Sequence, residues 1–126
     1  MLACILFLMI LCHIIDDFVL QPVCLSKLKQ KSWWSENLNG KMYKNDYKIA
    51  LFIHSLSWSI MIHIPLMIFF SIFDLDLLFT LSILINTSIH YIVDDLKANK
   101  YKINLITDQI IHFIQIIVTF IIFMLI

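Results

Sequence analysis

The chain runs as four long apolar stretches separated by polar ones, and the stretches are too uniformly apolar for an aqueous domain. They extend from Met1 to about Leu20, from about Lys48 to Ser71, from about Leu75 to Leu96 and from about Thr107 to Ile126. Some 20 apolar residues in a helix cross the roughly 30 Å hydrocarbon layer of a bilayer. Each stretch therefore predicts one transmembrane helix. The fold class is all-α: an integral membrane four-helix bundle of two hairpins, forming one domain over residues 1–126. A single glycine, Gly40, and two prolines, Pro22 and Pro65, leave long helices largely uninterrupted. The first stretch lacks a basic leader and a small-residue cleavage site, so it reads as a retained span and not as a signal peptide.

Composition strengthens this picture. Hydrophobic residues make up 61% of the chain and charged residues 14%, with a mean hydropathy of +0.91. A soluble domain carries about 45–50% apolar and about 25% charged residues. The formal net charge is zero, which removes any bulk electrostatic reason to bind nucleic acid. Cys4, Cys12 and Cys24 are odd in number and lack C-x-x-C spacing, so they define neither a disulfide framework nor a zinc knuckle.

The polar positions set the orientation. All nine basic residues are lysines, confined to Lys27–Lys48 and Lys97–Lys102, the first and third connections. The second connection carries only Asp74 and Asp76. The positive-inside rule then places residues 22–47 and 97–106 in the cytoplasm and both termini outside it, in the inner membrane. Residues 22–47 form a long basic connection in which Trp33, Trp34, Tyr43 and Tyr47 sit among lysines. Such a segment is expected at the headgroup level of the inner leaflet, partly helical, as a lid or an anionic-lipid contact. A solvated loop is its simpler reading. Asn37-Leu38-Asn39-Gly40 reads as a turn.

Within the spans, four of the five histidines share one depth. His13, His54, His90 and His112 each lie five to seven residues inside the lysine-bearing end of a different helix, roughly 8–10 Å at about 1.5 Å per residue. His13 and Asp17, His90 and Asp94, and Asp108 and His112 are each four apart and so share a helix face. The first two pairs form a faint repeat at the ends of helices one and three. Asn86 extends the helix-three stripe inward and Gln21 extends the helix-one stripe outward. Asp108 opens a helix, where the macrodipole favours an acid, whereas Asp17 and Asp94 close helices, where it does not. Those two need a cation: a histidinium, a bound metal or, for Asp94, Lys97. Asp16 and Asp95 fall off the stripes and are expected to face water. His63, nine residues from His54 and beside Pro65, is expected outside the constellation as a satisfied polar side chain. Ser55, Ser57 and Ser59 are small enough to let helices approach closely.

Ionisable groups inside spans are costly and mark function by default. Histidine is the commonest metal ligand, and N/O ligand sets suit zinc, manganese or iron. The preferred expectation is a metal-dependent hydrolase at the cytoplasmic face, acting on a membrane lipid or other amphiphile from the inner leaflet. His13, His54, His90 and His112 would ligate a divalent transition metal. Asp17, Asp94 and Asp108 would ligate, orient the histidines or act as general base, and Lys97 would neutralise an anionic substrate such as a phosphate. One alternative is an ion- or proton-coupled transporter or channel component. It needs a polar path outward, and the outer halves of helices one and four are almost wholly apolar apart from Thr119, unless a homo-oligomer makes one. Another is a small regulatory or structural protein without catalysis, such as a phage factor acting on a host membrane protein.

The ordered motifs carry a resemblance. His13-x-x-x-Asp17-Phe18-x-Leu20-Gln21, the early His54 of helix two, His90-x-x-x-Asp94-x-x-Lys97, and Asp108-Gln109-x-x-His112 resemble a family of small bacterial and phage membrane proteins catalogued as domain of unknown function family 3307. The resemblance spans nearly the whole chain and implies a polytopic membrane protein of bacterial or phage origin. It carries no activity to transfer. The family often has a second histidine four residues after the first in helix two; that place is Trp58 here.

The orientation is tested by cysteine labelling in intact cells. A cysteine replacing Asp74 should react with an impermeant reagent and one replacing Asn39 should not. The opposite pattern would invert the topology.

Overall fold

Where no water is present, a chain must satisfy its own N–H and C=O groups, which favours helix throughout. The computed structural model describes residues 1–21, 23–38, 42–70 and 77–125, and no strand occurs among them. Helix α1 (Leu2–Ile14) continues as a π-helical stretch, Ile15–Leu20. Two short helices follow, α2 (Val23–Leu28) and α3 (Lys31–Asn37). The long helices α4 (Asp46–Phe70), α5 (Leu77–Ala98) and α6 (Leu105–Leu125) complete the order. Four helices are long and apolar enough to cross a membrane: α1 with its extension, α4, α5 and α6. Their limits fall within two residues of those the hydropathy predicts. Pro22, Asn39 and Gly40 of the expected turn, and Asp74 and Asp76 of the second connection lie outside the described residues.

The long helices close a ring in which α1 packs on α4, α4 on α5, α5 on α6, and α6 on α1. The bundle is divided along its length. Away from the lysines, Ile5, Met9, Ile62, Leu66, Phe79, Ile116 and Phe123 form an apolar core against Trp58. Phe7, Ile53, Ile85 and Val118 are largely exposed on the outer surface of the bundle. Helix α4 runs through Pro65, which is buried. Ser59 Oγ donates across the α4–α5 contact to the carbonyl of Ile83 (2.9 Å), so a small side chain there lets the backbones approach. Ser55 bonds back to Leu51 of its own helix.

Two expectations are corrected. Asp16 does not face water; it is 2% exposed. A π turn closes i to i+5 instead of i to i+4, so it winds less per residue and brings adjacent side chains closer to one face. Asp16 and Asp17 both sit in that stretch. Ser57 Oγ donates to Asp16 Oδ1 at 2.7 Å and fixes it. Asp95 does lie nearer the surface, paired with Lys100 at 2.9 Å.

Nor is the basic connection a solvated loop. Helices α2 and α3 both pack against α4. Trp34 Nε1 donates to the carbonyl of Leu28 at 2.8 Å, and its ring stacks on Tyr43 and meets Trp33 edge-on. Asn99, just past α5, clamps the α2–α3 junction: its amide donates to the Lys29 carbonyl (3.1 Å) and its oxygen accepts from the Lys31 N–H (2.7 Å). Helix α6 is started by Asn104, whose side-chain oxygen accepts from the Thr107 N–H at 2.9 Å.

Because Ser59 is fully buried at the α4–α5 contact, Ser59→Leu should overpack it and cost about 1–3 kcal/mol. Thermal unfolding of the detergent-purified protein reads this; an unchanged midpoint would show that the two backbones are not in close approach.

Candidate metal centre

The lysine-bearing half of the bundle is polar inside. Histidines arrive from each long helix, and all four are buried: His13 on α1, His54 on α4, His90 on α5 and His112 on α6. The four rings come together inside the bundle. His13 lies within ring contact of His112 (5.9 Å), His54 of His90 (5.1 Å), and His90 stacks on His112 (4.0 Å).

The cluster centres on Asp94. Nε2 of His54 lies 3.6 Å and Nε2 of His90 3.9 Å from a carboxylate oxygen of Asp94, and Nε2 of His112 lies 3.8 Å from the other. None of these nitrogens, nor Nδ1 of His90, makes a hydrogen bond of good geometry, although His54 Nε2 stands 3.3 Å from Asp17 Oδ1 and His112 Nε2 3.4 Å from Asp108 Oδ1. Buried polar atoms are normally paired, so a set of such atoms aimed at one point marks a place for a ligand. Asp17, His54 and His90 form one group that could hold a metal ion, and His90, Asp94 and His112 form another; ligand atoms within each lie within 4.8 Å of one another. The two groups share His90.

Two ring orientations are fixed by directional bonds. The indole N–H of Trp58 donates to His13 Nδ1 (2.7 Å), so Nδ1 is an acceptor and Nε2–H donates to Gln109 Oε1 (3.0 Å). Both nitrogens of His13 are thereby occupied, which sets it apart from the ligand role expected for it. Gln109 in turn donates to Asp17 Oδ2 (3.2 Å) and Asp108 Oδ2 (3.1 Å). His13 positions other residues. In His112, Nδ1 donates to Gln115 Oε1 (3.1 Å), because the Gln115 amide nitrogen faces Asn86 oxygens at 3.3 Å. Its Nε2 then faces Asp108 Oδ1 at 3.4 Å and Asp94 Oδ1 at 3.8 Å. A nitrogen lone pair against two carboxylates is repulsive, so Nε2 must carry a proton or a metal ion.

Two lysines reach the site. Lys97 Nζ bonds Asp108 Oδ2 at 2.6 Å and stands 3.5 Å from Asp94. The closer partner of Asp94 is Lys29, at 2.6 Å and 5% exposed, delivered by the α2–α3 junction. Lys97 thus serves Asp108 first, and the expected pairing with Asp94 is secondary. Counted as ionised, the carboxylates of Asp16, Asp17, Asp94 and Asp108 face the ammonium groups of Lys29 and Lys97. The charge left over falls to the surrounding imidazoles as histidinium, with His112 between Asp94 and Asp108, or to a bound cation. Outside this core, the hydrogen bond to Asp95 raises Lys100 above the ordinary lysine value.

Above the cluster lies a cavity of about 380 Å³, lined on its polar side by Asp17, Gln21, Lys29, Lys97 and Gln109. With its amide turned to satisfy both neighbours, Gln21 accepts from Lys29 Nζ (3.1 Å) and donates to the Asp17 carbonyl (3.2 Å). Away from the cavity, a hydrogen-bonded chain continues into the bundle. Asn86 donates to Thr119 Oγ1 (2.9 Å) and to the Ser82 carbonyl (3.1 Å), and Ser82 Oγ meets His63 Nε2 at 2.8 Å. His63 Nδ1 donates to the Ser59 carbonyl (2.7 Å). His63 is satisfied and lies outside the cluster, as its spacing predicts, although it is fully buried.

Sequence reasoning missed Lys29, Asp16, Trp58 and Gln115 as parts of the site. Trp58 is a wall: its ring stacks on His90 at 4.3 Å and leans on His112 at 5.3 Å.

Fold and cluster together define a helical bundle suited to a membrane, with a buried His/Asp centre under a lysine-lined cavity. The chain belongs to the DUF3307 family, described as a protein of unknown function, whose family model matches residues 5–126. No curated protein and no solved structure matches the chain.

The Lys29–Asp94 pair can be isolated by a double-mutant cycle in chelator-treated protein. Lys29→Met alone strands a buried carboxylate and should cost roughly 3–5 kcal/mol. Adding Asp94→Asn should recover most of that loss. Additive effects in thermal unfolding would show that the two groups do not interact.

Proposed function

We propose that this protein is a membrane-embedded, metal-dependent hydrolase working at the cytoplasmic face on a lipid or other amphiphile. The carrying observation is the convergence of three buried, unpartnered Nε2 nitrogens, of His54, His90 and His112, on the carboxylate of Asp94. Zinc, manganese and iron all suit such a nitrogen and oxygen donor set. A divalent cation would balance the carboxylate charge that Lys29 and Lys97 leave, in place of histidinium. His54, His90, His112 and Asp94 would be ligands, with Asp17 as a further one or as the general base. Asp17 favours the second role because it borders both the cluster and the cavity. A divalent ion in this position lowers the pKa of a bound water and polarises the group under attack. Asp108 would hold Lys97 and His112 in place, and His13 would act through Gln109 and Trp58. The lysine-bearing end would be cytoplasmic by the positive-inside rule.

One observation favours a second reading, a proton or ion relay. Polar groups run from His112 through Gln115 and Asn86 to the Ser82 carbonyl, and the Ser82 hydroxyl meets His63, a polar file broken only at Ser82 that the near-apolar outer halves of helices one and four did not foretell. It ends against Phe79 and Phe123.

Elemental analysis of protein purified without a His-tag separates the two. Wild type should hold a divalent transition metal and His90→Ala should lose it. Asp94→Asn should bind it more weakly, and His13→Ala should retain it with affinity lowered about 10–100-fold, as for residues that orient ligands. Ligands must be deprotonated, so occupancy should fall as pH drops through the imidazole range, about 6.5 for a free imidazole. Metal-free wild type that gains no thermal stability from zinc, manganese or iron would sink the metal reading and leave the relay.

A further inference from the structure

The cavity above the cluster is walled by elements that the four-helix bundle alone would not supply. Lys29 enters from the α2–α3 junction and Lys97 from the end of α5, and both line the space of about 380 Å³. Each ammonium has three donors. Lys29 spends one on Asp94 and one on Gln21, and Lys97 directs its shortest bond to Asp108. One donor of Lys29 and at least one of Lys97 remain for a guest in the cavity. Asp17 is the carboxylate on the floor of the cavity. The remaining polar wall is neutral: Gln21, Ser26, Gln30 and Gln109 offer amides and a hydroxyl.

The other side of the cavity is different in kind. Phe18 and Leu105 line it, and each is more than half exposed (56% and 54%). They belong to the ends of the first and last spans. The space therefore joins a cationic inner wall to an apolar lip facing the hydrocarbon. Two ammonium groups on different elements approach a guest from two directions. That suits a tetrahedral oxyanion, which presents oxygens in several directions, better than a planar carboxylate.

We infer that this cavity is a binding site for the phosphate head of an anionic amphiphile, read by Lys29 and Lys97, with its chain leaving past Phe18 and Leu105. The inference deepens the proposed hydrolase by naming its substrate class, and it rests on that reading only for the fate of the bound molecule.

The test uses the full-length protein in a neutral maltoside detergent, with and without chelator treatment, and with metal content measured in each sample. Three probes are titrated and binding is followed by thermal stabilisation: dihexanoyl phosphatidic acid, dihexanoyl phosphatidylcholine and glycerol 3-phosphate. Phosphatidic acid should bind at least about tenfold more tightly than phosphatidylcholine, the scale of one charged hydrogen bond. Glycerol 3-phosphate, which has no chain to lie on Phe18 and Leu105, should bind more weakly than phosphatidic acid. Lys97→Gln should remove the preference. Because loss of a buried lysine can unfold the protein, Ser26→Glu provides a second arm. It adds a carboxylate to the cavity wall without removing a member of either ion pair, and it should abolish the preference while leaving metal content unchanged. Equal binding of the two lipids, or a preference that survives Ser26→Glu, would overturn the inference. Glycerol 3-phosphate binding as tightly as phosphatidic acid would overturn the amphiphile in favour of a soluble phosphate. A lipid preference in metal-free wild type would uphold the site while the hydrolase reading fails. Full metal with no preference would do the reverse.

Discussion

The carboxylate of Asp94 is placed where two forces act against it. It is 2% exposed, and it lies in the last turns of α5, where the helix dipole disfavours an anion. An isolated buried charge is costly enough that a fold must either neutralise it or surround it with cations. Much of the lysine-bearing half follows from that requirement. Helices α2 and α3 fold back along α4 and bring Lys29 within 2.6 Å of the carboxylate. Lys97, one turn further along α5, stands between Asp94 and Asp108. Three imidazoles turn their Nε2 atoms toward the same group.

Around this centre, direction matters as much as distance. The Trp58 indole can only donate, so it fixes which nitrogen of His13 carries a proton, and through Gln109 that choice reaches Asp17 and Asp108. Gln115 fixes the opposite arrangement in His112 by accepting from Nδ1. One ring is therefore saturated by protein groups and the other is left with a nitrogen facing carboxylates. Two histidines at one depth thus take different chemical roles because their outer partners differ, which is how outer-shell groups commonly tune a site.

The large features were legible in the sequence because each rests on a single periodicity. Span length gives the helices, the lysines mark one end, and i, i+4 spacing puts His90 with Asp94 and Asp108 with His112 on common faces. All but one of the failures share a cause, contacts between segments far apart in sequence; Asp16 is the exception, displaced by a local departure from the α-helix. Asp16 was assigned to water on the assumption of an unbroken α-helix, and the π-helical stretch changed its facing. Lys29 looks like any other lysine of a basic loop; only the clamp from Asn99, 70 positions away, aims its segment inward. Trp58 registered as a missing histidine, although its ring lies flat on His90 and its N–H holds His13. The spacing of His13 also told nothing about its nitrogens, since Gln109 and Trp58 come from other helices.

The division of the bundle into an apolar and a polar half bears on why the unpartnered nitrogens persist. The apolar half, built from residues such as Met9, Leu66 and Phe79, packs the four helices together around a few internally bonded polar groups such as His63 and Ser82. It also fixes the axial register of the four helices, and with it the depth at which each histidine stands. His90 lies between Trp58 and His112, stacked on both, so its ring cannot swing out to find a partner for either nitrogen. A fold could relieve such atoms by placing a serine or glutamine beside them, as it does for His63 and His112 Nδ1. It does not do so at the three Nε2 positions around Asp94. Nitrogens left open beside buried carboxylates are costly, and a proton or a metal ion shared among them would relieve that cost.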